Sequence, residues 1–181
     1  MIRLALAGAD TAILSTLCAR CPMGPTGCCA SPPGIEWSDL GRIIALGGKA
    51  FLLEQLAAGA LRSGRRGLLI ERVAPHQGAM KRCVYHGPEG CTIAPERRAA
   101  TCNYYVCEDA LVEGGDAEAA GRQALDTLVA LYGRWDLEMA ERIEARWPEG
   151  PPWDEGFLDW LAGELGRVTG EAREALRKLD A

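Results

Sequence analysis

Histidine is nearly missing from this chain, with two among 181 residues, at positions 76 and 86. A site built on imidazole therefore has little to draw on. No apolar run approaches the roughly 18 residues that cross a bilayer, so no membrane partner is expected. Basic charge is not in excess: 20 Lys and Arg stand against 25 Asp and Glu, a net charge of -5. Nucleic-acid binders ordinarily carry a basic face, so no nucleic-acid partner is expected, and Arg62, Arg65 and Arg66 read as a solvated turn. There is no phosphate-cradling glycine loop, no serine-nucleophile elbow and no paired carboxylates beside the cysteines. Phosphoryl transfer and hydrolysis thus have no residues to rest on. The opening "MIRLALAGADTAILSTLC" lacks the marks of an export signal, since Asp10 breaks its apolar stretch and no small-x-small site follows. Leu17, just before Cys18, is equally wrong for a lipoprotein. The segment reads as a strand or helix leading into the cysteines of a cytoplasmic protein.

What the chain does have is thiol. It carries eight cysteines, all between residues 18 and 107, and none in the last 74 residues. Four fall in "CARCPMGPTGCC", as Cys18, Cys21, Cys28 and Cys29. Four more, Cys83, Cys91, Cys102 and Cys107, fall in "CVYHGPEGCTIAPERRAATCNYYVC". A disulfide framework suits small secreted chains; this chain is longer and has core-forming helices. Isolated cysteines are often just small buried hydrophobes, but that does not explain two tight groups. Clustered thiols in a reducing compartment usually bind metal or do redox chemistry.

The spacing fits that reading. Cys18 and Cys21 are C-x2-C, which aims two sulfurs from one turn at one ion in zinc and iron–sulfur sites alike. Adjacent side chains diverge in extended backbone, so Cys28 and Cys29 are expected to serve different centres, one of them facing the distal group. On a helix, Cys102 and Cys107 would lie about 140 degrees apart. His86 follows Cys83 at C-x2-H spacing and is an optional ligand; His76 belongs to a turn.

Organisation follows the cysteines. Ser38 reads as the N-cap of a helix carrying Leu40, Ile43 and Ile44, stopped by Gly47-Gly48. "KAFLLEQLAAGAL" reads as a second helix ending near Gly64. Residues 67–74 and 79–86 are expected to pair as a small hairpin. "APERRAATCNYYVC" reads as one short helix with Pro95 in its first turn. In the tail, Leu125, Leu128, Tyr132, Trp135, Met139 and Ile143 recur at three and four. Phe157, Leu161, Leu165, Val168, Ala172, Leu176 and Leu179 do the same. With "WPEGPPW" between them, these predict an antiparallel helical hairpin.

These motifs resemble the YkgJ-like cysteine-cluster family, described as zinc- or iron-chelating. "CARCPMGPTGCC" matches its opening, with a longer gap before Cys28. "IEWSDLGRI" matches its next segment, with Asp39 near the acidic position. Cys83 matches its lone cysteine, and "CTIAPERRAATCNYYVC" the remainder, with Ala94 and Arg98 departing from the usual tyrosine and proline. The resemblance covers roughly residues 15 to 110. It implies a metal centre and no particular activity. A related cysteine pattern occurs in flagellin lysine methylases, where an iron–sulfur centre is implicated.

The expected protein is mainly α with a small β-hairpin. An irregular cysteine-rich metal-binding domain spans residues 1–112, and a helical extension spans residues 113–181. Its function is to hold an iron–sulfur cluster, ahead of zinc, at one or two centres built from the eight cysteines. The rival readings are an iron–sulfur-dependent, methylase-like modifying enzyme and a zinc-stabilised module binding a protein through its C-terminal helices.

Overall fold

The computed structural model describes residues 2–5, 12–15, 27–74, 76–88, 90–104 and 116–179. Two short strands, β1 (Ile2–Ala5) and β2 (Ala12–Ser15), pair antiparallel. Strand β3 (Gly34–Glu36) then runs directly into helix α1 (Trp37–Ala45).

Helix α1 starts at Trp37, with Glu36 rather than Ser38 at its N-cap. The Glu36 carboxylate accepts the Asp39 N–H, and Asp39 Oδ2 accepts the Glu36 N–H at 3.3 Å. This reciprocal pair satisfies two of the free N–H groups of the first turn. A third is satisfied from the far end of the chain, where Asp136 Oδ1 accepts the Ser38 N–H at 2.7 Å. The helix stops at Gly47-Gly48, as the sequence requires. Gly48 N–H donates to Ile43 O and Gly47 N–H to Ile44 O, with Gly47 at φ +79°, the Schellman closure that only glycine adopts without strain.

Helix α2 (Lys49–Ala57) is shorter than its sequence suggests. Residues 61–64 form strand β4 (Leu61–Gly64) instead, turning back into β5 (Gly67–Ile70). The leucines explain the switch. Leu61 and Leu68 are buried on the same face as Ile35, in a three-stranded antiparallel sheet ordered β3-β5-β4. Gly67, at φ +130°, lies so close to β3 that a Cβ would stand 2.1 Å from Ile35 O.

The hairpin expected over 67–74 and 79–86 therefore divides. Residues 67–70 belong to the three-stranded sheet, and only β6 (Arg72–Val73) pairs with β7 (Arg82–Cys83). A further two-stranded ribbon joins β8 (His86–Gly87) to β9 (Gly90–Cys91). Several small antiparallel sheets thus replace the single hairpin. The helix expected around Cys102 also divides, into a 3₁₀ turn at Pro95–Arg97 and helix α3 (Ala100–Tyr104). The break falls at Arg98, whose backbone is extended (ψ 155°) and whose Nε donates to Ile93 O at 2.9 Å.

The C-terminal helix pair is α4 (Asp116–Arg146) and α5 (Glu155–Leu179). The two pack on each other and on α1. Leu128, Tyr132, Trp135, Met139 and Ile143 of α4 are buried with Phe157, Leu161 and Leu165 of α5, the positions the three-and-four spacing picks out. Val168 is half-buried; the side chains of Leu125, Ala172, Leu176 and Leu179 lie outside the described residues. These residues form one continuous core with Trp37, Leu40, Ile43, Leu52, Leu61 and Leu68. Gly41 makes the closest approach possible: a Cβ there would stand 2.2 Å from Leu165 Cδ2. Trp37, Trp147 and Trp153 ring Phe157, at centroid separations of 6.3, 5.1 and 5.3 Å.

Candidate functional site

Five of the eight cysteines lie among the described residues: Cys28, Cys29, Cys83, Cys91 and Cys102. All five are free thiols. Cys18, Cys21 and Cys107 lie outside the described residues. Cys28 and Cys29 sit in a turn closed by Ala30 N–H to Gly27 O at 2.8 Å. Cys83 ends β7, Cys91 ends β9 and Cys102 lies in α3.

The turn and the distal strands are tied by backbone. Cys83 N–H donates to Cys29 O at 2.6 Å, and Arg72 Nη1 donates to Ala30 O at 2.8 Å. The thiols consequently share one neighbourhood. Cys29 feels the charges of Cys28, Cys83 and Cys102, Cys102 those of Cys28, Cys91 and Cys83, and Cys83 those of Cys91 and Cys28. The Cys28–Cys29 turn of the first cluster thus lies against the strand that carries Cys83 of the second, within electrostatic reach of Cys102. Among the described residues, however, no group of three or more Cys, His, Asp or Glu side chains is drawn together tightly enough to hold a metal ion.

The adjacent pair occupies a turn rather than an extended strand, and each thiol perturbs the ionisation of the other. That mutual influence pushes Cys28 down to about 6 and Cys29 up. Burial pushes Cys83 and Cys102 up, since a buried thiolate loses its hydration. Tyr85, which donates to Gln55 Oε1 at 3.0 Å, is pushed up by burial and by Cys83 and Cys91. One readily ionised thiol therefore sits beside several that stay neutral until a cation compensates their charge. His86 is half-buried on β8, opposite Cys91 in register. His76 is exposed. Arg62, Arg65 and Arg66 are exposed around the β4–β5 turn, and Arg62 and Arg66 pair with Glu71 and Glu36.

Sequence reasoning missed the charged residues that support this neighbourhood. Asp39 Oδ1 accepts the Ala100 N–H at 2.7 Å. Arg42 donates to the carbonyls of Glu96, at 3.4 Å, and of Arg98. Asp39 is 4% exposed and Arg42 2%, where an unpaired charge would be costly. The only hint in the sequence is an Asp and an Arg three apart on a helix whose other residues are core. No family model, no curated protein and no solved structure matches this chain.

Proposed function

We propose that the protein holds a metal through cysteine thiolates, as an iron–sulfur cluster ahead of zinc. The observation that carries this reading is the gathering of five free thiols from residues 28–29 and 83–102 into one neighbourhood. Its donors are all sulfur, and soft thiolate sets favour zinc, copper(I) and iron–sulfur clusters over hard cations. Cys28, Cys29, Cys83, Cys91 and Cys102 would hold the group, with Cys18, Cys21 and Cys107 completing the set by sequence. An iron–sulfur cluster supplies one-electron transfer, and zinc supplies a structural crosslink. The chain's own part is to hold the Cys28–Cys29 turn against the strand that carries Cys83, through Cys83 N–H to Cys29 O.

The experiment is metal and acid-labile sulfide analysis, with a visible spectrum, on anaerobically prepared protein. A brown protein carrying iron and sulfide supports the cluster; a colourless one carrying zinc supports the structural ion. Protein that takes up neither, after reconstitution with iron and sulfide or incubation with zinc, overturns the reading. The interaction-module alternative has one observation in its favour: Val129 and Leu137, two turns apart on α4, are 53% and 63% exposed.

A further inference from the structure

The segment that delivers Cys102 to the thiols has only small apolar anchors, Ala99 and Ala100 in the core and Ile93 packed against it. Among residues 92–99 only Ala99 is buried. Yet this segment must carry one sulfur to a fixed place beside four others. Charged side chains hold it against α1 at both ends of the helix.

Near the start of α1, Asp39 Oδ1 accepts the Ala100 N–H at 2.7 Å, taking a free donor of the first turn of α3. Arg42, one turn on, donates to the carbonyls of Glu96 and Arg98, and its Nη2 stands 3.6 Å from Asp39 Oδ1. At the end of α1, Arg97 returns the contact, donating to Leu46 O at 2.9 Å and Ile43 O at 3.3 Å. Buried ion pairs add little net stability over an apolar pair of the same shape. What they add is direction, because hydrogen bonds fix angle and register where apolar contacts can slide.

We propose that Asp39 and Arg42 are positioning residues that fix the Cys102 sulfur relative to Cys28, Cys29, Cys83 and Cys91. The purpose of the clamp rests on the thiolate-metal reading; the clamp itself does not. Neither residue is a ligand. Each acts through the backbone of residues 96–100.

The test uses the full chain, metal-free and anaerobic, with iodoacetamide alkylation of Cys102 and Cys28 followed by mass spectrometry in the same sample. Asp39→Ala removes the bond to Ala100 and frees Arg42. Losing a hydrogen bond to a charged group, about 1.5 kcal/mol, corresponds to roughly a ten-fold gain in the Cys102-to-Cys28 labelling ratio. Asp39→Asn keeps the shape and one acceptor and should give a smaller gain. Arg42→Lys keeps the charge without the two-carbonyl reach and should also raise the ratio. Leu158→Ala, which weakens the core away from the segment, should leave it unchanged. A ratio unchanged in Asp39→Ala, Asp39→Asn and Arg42→Lys alike overturns the proposal. So does a rise in Leu158→Ala equal to theirs, which would mark general loosening. A cobalt(II) titration is the second arm: weaker thiolate-to-cobalt absorption in Asp39→Ala than in the parent supports positioning, and an identical spectrum counts against it. If the parent binds no cobalt, iron or zinc while Asp39→Ala still exposes Cys102 selectively, the metal reading fails and the positioning role stands.

Discussion

In α5, Phe157, Leu158, Leu161 and Leu165 are all 3% exposed or less, and they meet Trp37, Leu40 and Ile43 of α1 in the core. Between β6 and α3, by contrast, strands are two residues long and most side chains are half-buried or exposed. The first region is held by buried area, about 25 cal/mol for each Å² of apolar surface. The second is held by directional bonds: Cys83 to Cys29, Arg72 to Ala30, Asp39 to Ala100 and Arg42 to the carbonyls of Glu96 and Arg98. The difference teaches that helix α1 serves two purposes. One face supplies the core of the helix pair, and its charged residues anchor the thiol-bearing segment.

That double use predicts the largest effect. A chain ending at residue 114 loses α4 and α5 and leaves Trp37, Leu40 and Ile43 without their main partners. It should show no cooperative thermal transition by circular dichroism, and so no ordered thiol neighbourhood either. A truncated chain that melts cooperatively would show that the two regions fold separately.

Next in size is Gly41→Ala. The new methyl would stand 2.2 Å from Leu165 Cδ2 and 2.9 Å from Leu165 Cβ, so α1 and α5 must move apart. Overpacking of this kind costs about 1–3 kcal/mol, read as a lower denaturant midpoint. An unchanged midpoint would mean that the α1–α5 contact is looser than its geometry.

The third effect is a pH dependence located at the joint. Burial, followed by its hydrogen bond with Glu36, pushes the Asp136 carboxyl up to about 8. An unfolded Asp titrates near 4, so the folded state holds this proton more tightly. The Asp136 contribution to stability is then fully present below about pH 4 and is lost as pH rises to about 8, by at most about 1.4 kcal/mol per unit. Asp39, which burial pushes up to about 6 although Arg42 opposes the rise, adds to the fall below pH 6. Asp136→Asn keeps an acceptor for the Ser38 N–H. It should remove the decline between pH 6 and 8 and leave only the Asp39 share between about pH 4 and 6. Denaturant melts at four pH values measure this, and a wild-type curve flat from pH 6 to 8 would refute it.

The smallest effect is Lys49→Ala. Its bond to Asp159 joins α2 to α5 at 2.9 Å but lies in solvent, where ion pairs contribute little. The melting temperature should not change measurably in 0.15 M salt; a clear drop would give surface charge a larger share in docking the helix pair.

Much of the helical half was legible because burial follows a period. Leu128, Tyr132, Trp135, Met139 and Ile143 repeat as a helix repeats, and each is buried. The Gly47-Gly48 stop was legible for the same local reason. The strands were not. "LRSG" continues a helical pattern, and only the covering of Leu61 and Leu68 makes it β4. At the site, residue type marked the thiols, but nothing local could show that the Cys28–Cys29 turn bonds to Cys83 or that Asp39 and Arg42 hold the segment before Cys102.

The sequence alone therefore determined the elements whose cause lies within a few residues: the apolar stripes of α4 and α5, the glycine stop, the soft-donor chemistry of the clustered thiols. Tertiary structure alone decided that the Ser38 N–H in the first turn of α1 is satisfied by Asp136, 98 residues away. It likewise decided how Cys102 is held, through a carboxylate 61 residues from the N–H it accepts. The physical reason is that periodicity and residue chemistry are written along the chain, whereas a buried donor takes whichever acceptor folding brings to it.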